Sequence, residues 1–189
     1  MKRLAAFHVG IVGLALMAFS GHAHAATVCN TGPPPSTPLS GTIVGGVVVN
    51  AGNFCILGGA NISGGVQVNP GGILIACGTT INGGFRSSGA AELIFGAEEI
   101  DCAGDVINGG VQISNAGPGI LGPDAPAVAL ERSTINGAVH LSGIKGMIAV
   151  ASNRIAGGLF CANNVFDVAD EMLPNLITGK VTCKFEEGE

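Results

Sequence analysis

A short pattern of apolar, glycine and alternating positions recurs seven times along the chain. In the copy Ile62-Ser63-Gly64-Gly65-Val66-Gln67-Val68-Asn69, an isoleucine and a polar residue precede two glycines, and apolar and polar residues then alternate up to a turn. Self-similarity at a period of roughly 20 to 30 residues is typical of a solenoid, in which each repeat packs only on its neighbours. The copies begin at Ile43, Ile62, Ile81, Ile107, Ile135, Ile155 and Ile177.

The alternating part of each copy predicts a strand with one buried face. Counted from the starting isoleucine, the fourth and sixth residues are almost all apolar and the fifth is mostly polar, which is a period of two. A coil buries such a face only by stacking on its neighbours in register, about 4.8 Å apart. The predicted inward positions are Val47, Val66, Phe85, Val111, Val139, Leu159 and Val181 together with Val49, Val68, Ser87, Ile113, Leu141, Cys161 and Cys183; the predicted outward positions are Val48, Gln67, Arg86, Gln112, His140, Phe160 and Thr182.

A second apolar run follows the strand in several coils, as in residues 54–57, 73–76, 93–95 and 147–150. Because adjacent residues in these runs are apolar together, the sequence leaves open which of them face inward. Three runs and three corners per coil predict an all-β, single-domain parallel β-helix of about seven coils. The six-residue sub-period of left-handed hexapeptide solenoids is not evident, so we expect a right-handed helix.

The paired glycines are predicted to serve coil geometry rather than ligand binding. Glycine alone is accepted where the chain bends tightly or where the space is too narrow for a Cβ atom. Ala138 and Lys180 replace the second glycine in two copies, whereas the first glycine is present in all seven. The requirement for glycine is therefore stricter at the first position of the pair than at the second.

The two ends of the chain differ from the repeats. Lys2 and Arg3 precede a mostly apolar stretch, residues 4–19, and Ala23-His24-Ala25 is a small-x-small cleavage site, so residues 1–25 are predicted to be a signal peptide cleaved near Ala25. Residues 26–40 are a proline-rich leader and N-terminal cap, residues 41–185 the β-helix, and residues 186–189 an acidic tail. We expect export to the extracellular space, the periplasm or the cell envelope, with no transmembrane segment in the mature chain.

The charge balance excludes one class of partner. The chain has 8 Lys and Arg against 13 Asp and Glu, a net charge of −5, and loss of Lys2 and Arg3 with the signal peptide makes the mature protein more acidic. Nucleic-acid binding calls for a basic surface, so we expect no nucleic-acid partner.

Six cysteines in an exported chain predict disulfides rather than a metal site. Sequence alone allows fifteen pairings, but the repeat register narrows them. Cys161 and Cys183 lie at the same position of adjacent coils, within the Cα separation that a disulfide accepts. Allowing for an insertion places Cys102 close to the register of Cys77, and elimination pairs Cys29 with Cys55.

Two coils are longer than the others, with insertions at residues 96–106 and 115–127. Since neighbouring coils carry them, we expect the insertions to emerge side by side as the one irregular surface and to be the partner surface. The first contains Glu98, Glu99, Asp101 and Asp105, carboxylates of the kind that bind calcium. Without an EF-hand or nonapeptide spacing, solvated surface charge is the favoured interpretation, and no cofactor is predicted.

No catalytic constellation is found, so the sequence favours a non-catalytic structural or binding module with an unknown protein or polysaccharide partner. The alternative is a carbohydrate-active lyase or hydrolase, since such enzymes use β-helices. Those enzymes need clustered carboxylates, whereas the outward positions offer Gln67, Arg86, Gln112 and His140. His140, the single imidazole of the mature chain, is predicted to be a surface residue.

Coils of the form Ile-x-Gly-Gly-Val-x-Val-x-x-Gly, an early Cys29 and a late Leu159-Phe160-Cys161-Ala162-Asn163-Asn164 resemble a group of exported bacterial solenoid proteins of undefined function. The coils are similar to those of bactofilins, which polymerise end to end. The resemblance covers about residues 41–185 and implies a β-helix and a capacity for self-association. The signal peptide, the cysteines and the two insertions depart from the bactofilin pattern.

Overall fold

The computed structural model describes residues 25–97, 100–122, 125–169 and 174–186. In this part the chain is an all-β parallel solenoid of about seven turns, and every strand pairing is parallel. Each turn has three faces, which we call face 1, face 2 and face 3 in chain order. The predicted fold class is therefore confirmed, while the right-handed sense stays a prediction.

Face 1 is a seven-stranded sheet built from the alternating segments of the repeat. Equivalent positions lie side by side in successive coils, as in the pairing of Gln112 with Arg86 on one side and with His140 on the other. The strands, in spatial order, are β1 (Thr27–Val28), β3 (Val47–Val49), β5 (Val66–Val68), β8 (Phe85–Ser88), β11 (Val111–Ser114), β14 (Val139–Ser142) and β17 (Leu159–Ala162).

Faces 2 and 3 together form a 12-stranded sheet, because the long strand β4 (Phe54–Ile62) runs around the corner between them. Face 2 continues from β4 through β6 (Ile73–Cys77), β9 (Glu92–Phe95), β12 (Val128–Glu131), β15 (Ile148–Ala151) and β18 (Val168–Ala169). Face 3 comprises β2 (Leu39–Ile43), the end of β4, β7 (Thr80–Ile81), β10 (Val106–Ile107), β13 (Thr134–Ile135), β16 (Arg154–Ile155) and β19 (Leu176–Ile177).

The interior of the solenoid is a stack of aliphatic side chains contributed by all three faces. The predicted inward positions of face 1 are buried from Val47 to Leu159, and Val181 in the last coil is exposed at the end of the stack. The starting isoleucines line the interior from face 3. Each buried side chain of this size contributes roughly 1.5–3 kcal/mol, which explains how a chain with few aromatic residues holds together.

The structure settles the orientation of the second apolar run. On β6, Leu74 and Ala76 face the interior, whereas Ile73 and Ile75 belong to a separate apolar cluster. Both sets are buried, and Ile94 on β9 is buried with the second set. A strand buried on both sides has a continuous apolar sequence, which is why the run lacks alternation.

Close approach between coils explains the first glycine of each pair. A Cβ atom on Gly83 would lie 2.6 Å from the backbone nitrogen of Gly65 and 2.7 Å from the carbonyl carbon of Gly64, a contact that no side-chain movement relieves. A Cβ atom in the second position would have one close contact, with a carbonyl oxygen of the next coil, at 2.8 Å from Gly46 and Gly65, 2.9 Å from Gly84 and 3.1 Å from Gly110. The predicted difference in strictness between the two positions thus has a direct physical cause.

The three disulfides join the predicted pairs, two of which follow from the register and the third, Cys29 with Cys55, from elimination. Cys161 and Cys183, in adjacent coils, have Cα atoms 4.6 Å apart. The Cα separations are 4.9 Å for Cys77 with Cys102 and 5.5 Å for Cys29 with Cys55. No cysteine is free.

The proline-rich leader caps the first coil. Its strand β1 adds to the edge of face 1 beside β3, and the Thr31 hydroxyl accepts a hydrogen bond from the Ile56 amide at 2.9 Å. The Cys29–Cys55 bridge ties the same segment to β4. Backbone groups at this end of the solenoid therefore have partners within the chain.

The two insertions do not emerge side by side, and that prediction is wrong. The first follows β9 at the corner between faces 2 and 3, whereas the second precedes β12 at the corner between faces 1 and 2. Since β9 and β12 are adjacent parallel strands, the insertions lie at opposite ends of these strands and flank face 2. The sequence already contains this difference, because the first insertion follows the second apolar run of its coil and the second insertion precedes that run.

Some sequence predictions fall outside the described residues. The signal peptide does so except for Ala25, and the acidic tail does so except for Glu186. Within the described residues, no helix is long and apolar enough to cross a membrane.

Candidate functional site

A groove of about 830 Å³ runs along face 1 parallel to the solenoid axis. Its lining extends from Gly46 and Val48 in the first coil to Phe160 near the last, so that it crosses six successive coils. Adjacent coils are about 4.8 Å apart, which makes the groove roughly 24 Å long. We call this feature the face 1 groove.

The repeat itself builds this groove. The second glycine of each pair leaves a strip without side chains, occupied by Gly46, Gly65, Gly84 and Gly110 and by the small Ala138. Beside the strip stands the outward column of side chains, which the sequence predicts correctly: Val48, Gln67, Arg86, Gln112, His140 and Phe160. The row of side chains therefore forms one wall of an elongated, open groove.

The middle of the groove is polar and carries positive charge. The Arg86 side chain is exposed and forms no ion pair or hydrogen bond with another described residue, and neither does the Gln112 side chain. The Gln67 amide nitrogen donates to the Asn69 side-chain oxygen at 2.8 Å. None of the described residues that line the groove is Asp or Glu.

An aromatic pair closes the far end of the column. The His140 and Phe160 rings are stacked, with centroids 4.8 Å apart and planes inclined by 16°. Their residues are register partners on β14 and β17, so the stacking follows from the coil repeat. His140 is exposed, as predicted, but it belongs to a continuous groove rather than to an isolated surface position.

A second polar feature lies inside the solenoid, at the corner between faces 2 and 3. Here one side chain per coil accepts a hydrogen bond from the backbone N–H of its equivalent in the coil before. The bonds run from Thr79 to Asp105 (2.6 Å), from Asp105 to Ser133 (3.1 Å), from Ser133 to Asn153 (2.9 Å) and from Asn153 to Asn175 (3.0 Å). We call this row the corner ladder.

Asp105 is the single ionisable member of the corner ladder. Its Oδ1 accepts the Thr79 N–H, but its Oδ2 is buried without a hydrogen-bond partner. Desolvation by burial raises the pKa of Asp105 from 3.8 to about 7, although the Thr79 hydrogen bond acts in the opposite direction. Asn153 and Asn175 occupy the equivalent place with an amide nitrogen that donates to a carbonyl.

The structure separates the carboxylates of the calcium candidate. Asp101 is exposed and has a left-handed backbone with φ of 52°, whereas Asp105 is 1% exposed and points into the corner ladder. Glu98 and Glu99 lie outside the described residues. Among the described residues, no three His, Cys, Asp or Glu side chains are grouped so that they could hold a metal ion.

A buried carboxylate binds the backbone of the second insertion, and sequence reasoning does not single it out. Glu92 is fully buried, and its Oε2 accepts hydrogen bonds from the N–H groups of Ile120 (2.7 Å) and Leu121 (2.8 Å). Both aliphatic side chains remain exposed, at 58% and 46%. The signal in the sequence is that an acidic residue stands where Phe54 and Ile73 stand in the coils before it.

Comparisons with known proteins give no family for this chain. No protein-family model matches it, and neither a curated protein nor a solved structure does. The coil likeness to bactofilins therefore stays a prediction from the sequence, and the solenoid architecture rests on the structure alone.

Proposed function

We propose that this protein is an exported, non-catalytic binding module that holds an elongated partner in the face 1 groove. The observation that supports this proposal is the continuity of the groove across six coils, because an open channel parallel to the solenoid axis suits an extended chain rather than a compact small molecule. Three disulfides fit an oxidising compartment outside the cytoplasm, as expected for a protein of the cell envelope or the extracellular space.

The chemistry of the lining favours a partner rich in hydrogen-bonding groups. Amide, guanidinium and hydroxyl groups from Gln67, Arg86, Gln112 and Ser142 face a strip of exposed backbone. A polysaccharide supplies hydroxyl groups at regular intervals along an extended chain, so it matches this lining better than an apolar peptide. The second insertion exposes the aliphatic side chains of Ile120 and Leu121, which offer no hydrogen-bonding groups to such a partner.

The alternative is a carbohydrate-active enzyme on the same scaffold. Glycosidases use a pair of carboxylic acids on either side of the scissile bond. The described lining residues supply none. The binding interpretation therefore has the stronger support, and analysis for released products distinguishes the two.

Blocking the groove tests the proposal. The purified protein is incubated with a panel of polysaccharides and cell-envelope fractions, and retention is measured by affinity electrophoresis and co-sedimentation. Gln112→Trp places a large side chain in mid-groove at an exposed position, and Arg154→Trp places the same side chain on an exposed strand of face 3 as the matched control. We expect the first variant alone to lose retention. Equal retention of both variants would refute the groove as the binding surface, and products released by the wild type would favour the enzyme.

A further inference from the structure

We infer that the ligand of the face 1 groove is an anionic, extended polysaccharide whose negative charge recurs once per disaccharide. This inference rests on the proposed function and names its ligand class. It comes from the order of side chains along the groove, from the charge of Arg86, which has no ion-pair partner among the described residues, and from the hydrogen-bonding capacity of the intervening amides.

Neutral amide side chains alternate along the groove with the guanidinium and imidazole side chains of Arg86 and His140. Gln67 pairs in register with Arg86, Arg86 with Gln112, and Gln112 with His140. Groups of the same kind are therefore two coils apart, a distance of about 10 Å. An extended disaccharide has a comparable length, so a polymer with one acid group per disaccharide meets Arg86 and His140 with successive charges.

The charge of the groove is free to act on a ligand. Arg86 has no acidic partner among the described residues, and the described lining contains no carboxylate. The chain as a whole is acidic, with 13 acidic side chains against 8 basic ones, Arg86 among them. A guanidinium presents two parallel N–H donors to a carboxylate or a sulfate, and His140 offers at least one N–H in either protonation state.

The amides between these groups suit hydroxyl ligands. Because the Gln67 nitrogen donates to Asn69, the Gln67 carbonyl oxygen is left to accept from a hydroxyl group. Asn69 in turn donates to the Asn50 side-chain oxygen at 3.0 Å, which fixes the orientation of this chain of amides. Gln112 has no such bond to another described residue and offers both a donor and an acceptor.

The test measures binding of defined oligosaccharides by isothermal titration calorimetry at low salt. The probes are a hyaluronan hexasaccharide with one carboxylate per disaccharide, a galacturonate oligomer with one per sugar, and a neutral chito-oligosaccharide of similar length. We expect the hyaluronan fragment to bind at least as tightly as the galacturonate oligomer despite its lower charge. Added salt should weaken this binding, because it screens exposed charges.

Two variants that each remove one positive charge distinguish a specific role of Arg86 in binding from a general effect of the charge of the protein. Arg86→Gln gives this coil the side chain that its neighbours already carry, and we expect about tenfold weaker hyaluronan binding, equivalent to ~1.4 kcal/mol. Arg154→Gln removes one exposed arginine from face 3 and should leave the affinity unchanged.

Each other outcome identifies what fails. Tighter binding of the neutral oligomer, or equal hyaluronan affinity of Arg86→Gln and the wild type, would overturn the anionic ligand class. The groove would then still be the binding surface if Gln112→Trp abolishes binding of the preferred oligomer. Much tighter binding of the galacturonate oligomer would overturn the disaccharide spacing alone, and binding of none of the three would overturn the inference as a whole.

Discussion

Replacing Asp105 by asparagine should stabilise the protein, although it alters a side chain that is 1% exposed. The corner ladder supplies the reason. At the equivalent place two later coils have asparagines, whose amide nitrogens donate to the carbonyls of Leu130 and Val150 at 2.6 Å. The carbonyl in register with these acceptors beneath Asp105 belongs to Ala76. An asparagine at position 105 would keep the bond from Thr79 and replace the unpartnered, buried Oδ2 by a neutral amide nitrogen near this carbonyl, which already accepts the Gly96 N–H at 3.1 Å.

The magnitude follows from the pKa of Asp105. Burial raises this pKa from 3.8 to about 7, so between these pH values the folded protein retains a proton that the unfolded chain has lost. The stability contribution of Asp105 is therefore complete below pH 3.8 and is lost as the pH rises to 7. One pKa unit corresponds to about 1.4 kcal/mol, so the loss is roughly 4 kcal/mol and stays constant above pH 7. Asparagine does not titrate and should avoid it.

The assay is urea unfolding from pH 4 to pH 9 with the disulfides oxidised. We expect the free energy of unfolding of the wild type to fall over this range and that of Asp105→Asn to fall less, with the variant more stable at pH 8 by about 2–4 kcal/mol. Asp101→Asn makes the same chemical change at an exposed residue of the same insertion and should follow the wild type. The reasoning would be refuted if Asp105→Asn were less stable than the wild type at pH 8. It would also be refuted if the wild type gained stability with rising pH and Asp105→Asn did not.

Substitutions at three further features, the glycine pair, Glu92 and the last disulfide, test the packing. Gly83→Ala forces a Cβ against the backbone of the preceding coil and should cost at least about 3 kcal/mol in urea unfolding, whereas Gly110→Ala should cost about 1 kcal/mol, since Ala138 is accepted in that column. Glu92→Ala leaves two N–H groups without their acceptor and should destabilise by about 2–3 kcal/mol and speed proteolysis of residues 117–122, and Glu92→Gln should have a smaller effect. Replacing Cys161 and Cys183 together by alanine should lower the free energy of unfolding by roughly 3 kcal/mol, measured under non-reducing conditions, and an unchanged value would argue against bracing by this bridge.

The sequence contains the coil architecture because the architecture is local and repeated. A position such as Val66 meets its own equivalent, Val47, in the neighbouring coil, so periodicity along the chain directly encodes contacts in space. The same register pairs Cys161 with Cys183 without any knowledge of tertiary structure. Outward residues such as Arg86 could be assigned for the same reason.

The features that sequence reasoning misses are those in which a residue departs from its column. Asp105 belongs to an acidic stretch by composition, but the register places it in a ladder of neutral polar side chains. Glu92 stands in an apolar column and is tolerated because the second insertion supplies two N–H donors. Neither partner lies nearby in the sequence, so composition alone suggests surface charge for both residues.

The glycine pair links the fold to the proposed binding surface. The first glycine is required by the close approach of neighbouring coils, whereas the second could in part be alanine, as Ala138 shows. Yet four of the five groove-lining residues in this second column are glycine, which leaves the strip beside Arg86 and Gln112 open along its length. Larger residues there would fill the groove, and at Gly46, Gly65 and Gly84 the Cβ atom would also lie 2.8–2.9 Å from a carbonyl oxygen of the next coil. The contacts between coils that keep this column small therefore also set the depth of the groove.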